Sequence, residues 1–256
     1  MGATGTDVAR EAADMVLTDD NFASIVDAVR EGRAVYDNIR KFIGYVFGSN
    51  AAEMVPFAAF VLFGIPLPLT ILQVLAVDVG TDLFPALALG AEPPEPDVMS
   101  RPPRRRDEGL LNGPTLVRAY LWLGMIEAGL ALGGFFFAQN LAGWTPGAAF
   151  VREGPAYLTA TTVTFAGIVM AQIGNAFAWR TESQSVFALG FFSNRLLLWC
   201  ICAEIALMLL LIYVPPFPAI FGMASPSATE WLLIASFGAV LLALEELRKL
   251  FNRRRS

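Results

Sequence analysis

Six runs of about 20 predominantly apolar residues recur along this chain, at 43–63, 69–91, 116–138, 158–179, 196–214 and 231–247. Each is long enough to cross the ~30 Å hydrocarbon core of a bilayer as a helix. Backbone in hydrocarbon must satisfy its own hydrogen bonds, so the runs predict an all-α membrane protein of six transmembrane helices. Composition agrees, with 55% hydrophobic residues, only 16% charged ones and a mean hydropathy of +0.55. The N-terminal 20 residues lack the basic-then-apolar pattern of a signal peptide.

Basic residues orient the spans. If the N-terminus is cytoplasmic, 17 of the 18 Lys and Arg fall on that side and Arg152 alone lies outside. The positive-inside rule therefore predicts both termini cytoplasmic. The tail formed by Arg248, Lys249, Arg253, Arg254 and Arg255 reads as a topology anchor, with contact to anionic lipid as the alternative.

Into the second run are set Asp78, Thr81 and Asp82. A carboxylate at the centre of a membrane helix costs roughly 2.5 to 3.5 kcal/mol on insertion scales, and no Lys or Arg shares the segment. The i, i+3, i+4 spacing puts three oxygen-bearing side chains on one helical face, which suits a cation. Asn50 and Glu53, at i and i+3 of the first run, make a second such face. The hairpin at 64–68 makes the two runs antiparallel neighbours, with both polar faces near mid-membrane. Gly80 and Pro85 predict a weakened, partly unwound helix that offers carbonyl oxygens as further ligands, and Pro56 can act likewise one turn past Glu53.

Other polar groups within the runs are more ambiguous. Glu127 and Glu204 are lone carboxylates, each suited to snorkelling, to a hydrogen bond with a neighbouring helix or to an ion. Gln172 and Asn175 either complete a site from a further helix or join helices by hydrogen bonds. Glu245 and Glu246 have Arg248 and Lys249 nearby. There is no His, and Cys200 and Cys202 point to different helix faces, so neither a disulfide nor a soft-metal site is expected. The remaining oxygen ligands suit hard cations.

The extramembrane pieces are short. Asp7 is expected to cap a helix through Ala13, residues 15–17 to form a brief buried strand, and Asp19, Asp20 and Asn21 to supply a second N-cap. From Phe22 the apolar positions recur at helical intervals, predicting one helix of about 42 residues and ~60 Å running into the first span. The Pro-rich stretches at 92–97 and 101–106 read as a stiff, charged connector. No Walker loop, nucleophile elbow or zinc spacing is present, and nothing suggests a nucleic-acid partner.

Several motifs occur together in order: Thr4-Gly5-Thr6-Asp7-Val8-Ala9, Asp19-Asp20-Asn21-Phe22, Tyr36-Asp37-Asn38-Ile39-Arg40-Lys41-Phe42, Asn50-Ala51-Ala52-Glu53, Pro66-Leu67-Pro68-Leu69-Thr70, Asp78-Val79-Gly80-Thr81-Asp82, and Glu92-Pro93-Pro94-Glu95-Pro96-Asp97 with Arg101-Pro102-Pro103-Arg104. In these the chain resembles the C-terminal half of P-type cation-transporting ATPases, closest in pattern to the sodium/potassium-pump-like subfamily. The resemblance implies that residues 1–21 are a remnant of an α/β phosphorylation domain, 22–42 a cytoplasmic stalk helix and 43–256 a six-helix ion-transport domain. By that resemblance Asn50, Glu53, Asp78, Thr81 and Asp82 match cation ligands. Tyr45, Ser49, Gln172, Asn175 and Glu204 fall at or near a further ion site, with Gly48 and Asn175 replacing that family's Thr and Asp.

The resemblance also implies that the phosphorylated Asp, the nucleotide-binding domain and the first four helices would lie before Met1, which matches an internal methionine of the pattern. The chain alone would then not hydrolyse ATP. Its ligand would be a transported cation, Na⁺ or K⁺ ahead of Ca²⁺, with ATP and Mg²⁺ used only by the full-length pump. Its partners would be membrane lipid and the N-terminal half of the pump, in cis or in trans, and its location the plasma membrane. The alternatives are a non-enzymatic membrane subunit, a passive cation pathway or an inactive fragment.

Overall fold

The computed structural model describes residues 2, 5–103, 109–182 and 184–253. Outside them lie Met1, Ala3 and Thr4, the connector's Arg104, Arg105 and Arg106, and Arg254 and Arg255 of the tail.

The six apolar runs form six helical spans. The first is α2, Ala23–Phe63, a single helix of 41 residues that ends where Gly64 adopts a left-handed conformation at φ 62°. It extends for about 60 Å, as the unbroken periodicity predicts. The second span joins α3 (Ile71–Leu75), a π-helical turn (Ala76–Thr81) and α4 (Leu83–Gly90). The third likewise joins α5 (Gly113–Leu116), a longer π-helical stretch (Val117–Gly124) and α6 (Met125–Leu141). The remaining spans are α7 (Gly154–Trp179), α9 (Arg195–Tyr213) and α11 (Ala228–Arg253), with α8 (Val186–Leu189) and α10 (Phe217–Phe221) as single turns between them.

Span α7 is the buried centre of the bundle, packed against α6 and α11. Its crossing with α11 depends on two glycines. A Cβ on Gly238 would lie 2.5 Å from the Met170 carbonyl oxygen, and one on Gly174 would collide with the Gly238 backbone. Membrane helices gain little from apolar burial, so such close backbone approach supplies the packing. At the end of the bundle carrying the 64–68 hairpin, Gln73 completes a capping box with Thr70, and Arg152 donates to the Gly64 carbonyl at 2.7 Å.

Two local expectations change. Residues 15–17 are not a strand: Met15 and Val16 are 48% and 41% exposed, and no other strand is present among the described residues to pair with them. A lone extended segment has no ladder to join. The first helix, α1 (Asp7–Glu11), is capped by Thr6, whose hydroxyl accepts from the Ala9 amide, and Asp7 takes the first helical position. Ahead of α2 the acidic turn acts as expected, with Asn21 Oδ1 accepting from the Ala23 amide at 3.0 Å.

Candidate cation site

Glu53 of α2 meets Asp78 and Asp82 of the second span, each offering a carboxylate oxygen within 4.8 Å of the others. Glu53 and Asp82 are each 5% exposed, whereas Asp78 is open. None of the three forms an ion pair with Lys or Arg among the described residues. Glu53 Oε1 is buried without a hydrogen-bond partner, an arrangement that a cation would relieve.

Local backbone chemistry places these groups. Between Ala76 and Thr81 the helix widens into a π turn, closed by the Asp82 amide donating to the Val77 carbonyl at 2.9 Å. This replaces the unwinding expected from Gly80 and Pro85: the helix stays paired but is re-registered at the acidic residues. The Thr81 hydroxyl donates to the same Val77 carbonyl at 3.1 Å and is buried. Pro56 lies inside α2 and has no amide hydrogen to cover the Ala52 carbonyl, next to Glu53. Asn50 is half-buried, one turn before Glu53.

Asp82 is the most elaborated ligand. The Ser49 hydroxyl donates to its Oδ2, and the Tyr45 hydroxyl lies 3.4 Å from its Oδ1. Gln172 of α7 in turn donates to Ser49 Oγ at 2.6 Å. Tyr45, Ser49 and Glu53 recur at i, i+4 and i+8, a single stripe of α2. Of the residues matched to a further site, Tyr45, Ser49 and Gln172 therefore gather on Asp82. Asn175 reaches Glu127 Oε2 of α6 at 3.3 Å instead, and Glu204 of α9 is fully buried with neither oxygen partnered. Snorkelling is ruled out for Glu127 and Glu204, because both are completely enclosed.

At the other end of the spans, every buried carboxylate is paired. Glu92 accepts from Arg180 at 2.6 Å and from Asn194, while Glu95 binds Lys41 at 2.8 Å and Arg101 at 2.5 Å. Glu245 joins Arg118 at 2.7 Å, Arg248 and the Trp122 indole, and the Arg118 guanidinium also lies 4.2 Å over the Trp179 ring. The Pro-rich 92–97 segment is thus bound to α2 and α7 rather than a free connector. Hydrogen bonding to Arg101 holds the Asp97 carboxyl below the ordinary carboxylate range, and the acidic partners raise Arg101 in return.

Residues 66–251 match the family described as cation transporting ATPase, C-terminus. The chain belongs to the P-type cation-transporting ATPases. It is 36% identical over 286 residues to sodium/potassium-transporting ATPase subunit alpha-2 of Gallus gallus, covering 99% of this chain and 27% of that protein. Against the calcium-transporting ATPase of Bacillus subtilis (strain 168) the identity is 40% over 244 residues, covering 94% and 26%. Against potassium-transporting ATPase alpha chain 2 of Homo sapiens it is 34% over 278 residues, covering 99% and 27%. The chain spans about a quarter of the length of these relatives and corresponds to the C-terminal membrane region of a P-type ATPase.

Within this P-type ATPase region, two features escape a reading of sequence alone. The Ser49–Asp82 contact had a visible signal in the α2 stripe. The Glu127–Asn175 contact joins residues 48 positions apart on different helices and had none.

Proposed function

We propose that this chain is the ion-binding and stalk portion of an ATP-driven P-type cation pump, with Glu53, Asp78 and Asp82 as the charged ligands of the transported cation. The observation that carries this reading is the convergence of three carboxylates from two spans without a basic partner. Asn50 and Thr81 lie beside them and add neutral oxygens.

The first part of α2, residues 22–42, is the stalk, continuous with the helix that carries Asn50 and Glu53. Tilting it shifts those two ligands against Asp78 and Asp82 and alters the cation's coordination. ATP hydrolysis, with its Mg²⁺, belongs to the rest of the pump, supplied in cis or in trans. Both termini face the cytoplasm, and the protein resides in the plasma membrane. Na⁺ or K⁺ is the favoured cargo, because Asp at position 78 followed by Gly80-Thr81-Asp82 follows the sodium/potassium-pump-like pattern.

Calcium is the second reading, favoured by three carboxylate oxygens within 4.8 Å of one another, a donor set that suits a divalent ion. The test is ion-dependent phosphorylation of a reconstituted full-length pump carrying Asp82→Asn. Loss of ion dependence is expected, and unchanged dependence would overturn the assignment. Comparing Na⁺, K⁺ and Ca²⁺ as activators of the unsubstituted pump decides between the two cargoes.

A further inference from the structure

We propose that Glu127 and Asn175, facing Gly48, form a second cation site that takes one monovalent cation independently of the Glu53–Asp78–Asp82 cluster. The proposal rests on the reading of this chain as cation-binding and adds a site whose only charged ligand comes from the third span.

Glu127 projects from the first turn of α6 and is fully enclosed. Its Oε2 receives one hydrogen bond, 3.3 Å from Asn175 Nδ2, and its Oε1 receives none. Asn175 is also fully enclosed, and its Oδ1 has no partner. Two unpartnered oxygens on adjoining buried side chains make a costly arrangement for a packing contact, since each forfeits its hydration without replacement. No Lys or Arg pairs with Glu127 among the described residues.

The backbone leaves room at this point. Gly48 faces Asn175, and the position its Cβ would fill lies 3.0 Å from Asn175 Nδ2, 3.7 Å from Asn175 Oδ1 and 3.6 Å from the Ala119 carbonyl oxygen. Gly124 permits the approach from the other side: a Cβ there would lie 2.6 Å from Ala51 Cβ and 3.0 Å from the Gly48 carbonyl. Two glycines therefore bring α2 and the third span together around a small space lined by oxygens. Rotating the Asn175 amide by half a turn exchanges its nitrogen for oxygen beside Glu127, so an arriving cation meets a carboxylate and an amide oxygen together.

Charge selects the ion. One carboxylate neutralises one monovalent cation, whereas a divalent ion would remain with an uncompensated charge in an enclosed site. The site neighbours the first through α7: Gln172 touches Ser49, which serves Asp82, and one turn on Asn175 touches Glu127.

The test is equilibrium binding of ²²Na⁺, with ⁸⁶Rb⁺ in parallel, to the purified full chain in phosphatidylcholine nanodiscs. The unsubstituted chain should bind two ions. Glu127→Gln, nearly isosteric, should lose one and keep the ion that Asp82→Asn removes, and that retained ion also reports an intact fold. If Glu127→Gln keeps both ions, a proton or nothing occupies Glu127, and the inference fails while the first site stands. If Glu127→Gln loses both, or the unsubstituted chain binds a single ion that Asp82→Asn abolishes, there is no independent second site. If Asp82→Asn keeps both while Glu127→Gln loses one, the first assignment fails and this one stands.

Discussion

The buried carboxylates of this chain fall into two groups that differ in company rather than in burial. Glu92 and Glu245 are 3% and 0% exposed at the side chain, and each is locked to an arginine at 2.6 to 2.7 Å. Glu53, Glu127 and Glu204 are as deeply enclosed, yet each keeps at least one oxygen unpartnered and none has a basic neighbour. A paired carboxylate fixes one arrangement of helices. An enclosed and unpaired one holds open a vacancy for positive charge. The difference teaches that burial alone does not mark a functional carboxylate in a membrane protein; the missing counter-charge does.

The largest effect should come from breaking a pair. Glu92→Ala leaves the Arg180 guanidinium enclosed with its carboxylate gone, a loss of about 3 to 5 kcal/mol for a buried pair. Glu204→Gln, at equal burial, should leave thermal stability unchanged or raise it, since it removes a charge that nothing balances. Thermal unfolding in detergent compares the two variants, and an equal fall in both would erase the distinction between the groups.

Smaller is the contribution of the hydroxyl that orients the cation site. Ser49→Ala deletes the donor to Asp82 and the acceptor for Gln172. A hydrogen bond to a charged group is worth about 1.5 to 3 kcal/mol, so cation affinity should fall by roughly one to two powers of ten. Ion titration of the purified protein measures this, and undiminished affinity would mean that Asp82 needs no positioning.

The smallest effect tests the paired group by pH. The Asp97 carboxyl is depressed by Arg101, so its contribution is fully present above the ordinary Asp value of about 4 and is lost as pH falls through the lower folded value. Hydrogen exchange of residues 92–101 should therefore quicken in that acidic window. Asp97→Asn should quicken exchange at neutral pH and remove the dependence.

The six spans were legible because apolar length alone decides them, and the Glu53–Asp78–Asp82 cluster because carboxylates in hydrocarbon stand out at helical spacing. The long α2 was legible from unbroken periodicity. The π turns were not, because widening a helix depends on what presses on it, as Ala51 and the Gly48 carbonyl press on Gly124. Nor were the Arg118–Glu245 and Arg180–Glu92 pairs, which join residues 127 and 88 positions apart. The strand expected at 15–17 failed for a related reason: a strand is a property of two segments, and here only one is present among the described residues.

The length of α2 carries a mechanical consequence. Gly44 lacks the Cβ that would strike the Trp179 ring, so helix and indole touch there as at a fulcrum. Ala23 lies 21 residues to one side, ~31 Å, and Glu53 lies nine to the other, ~13 Å. A rigid rod pivoting at that point divides a displacement by slightly more than two, so ~2 Å of travel at Ala23 delivers a little under ~1 Å at Glu53. This is reduction gearing: it trades travel for force and turns a coarse cytoplasmic stroke into a step on the scale of a single cation–oxygen contact.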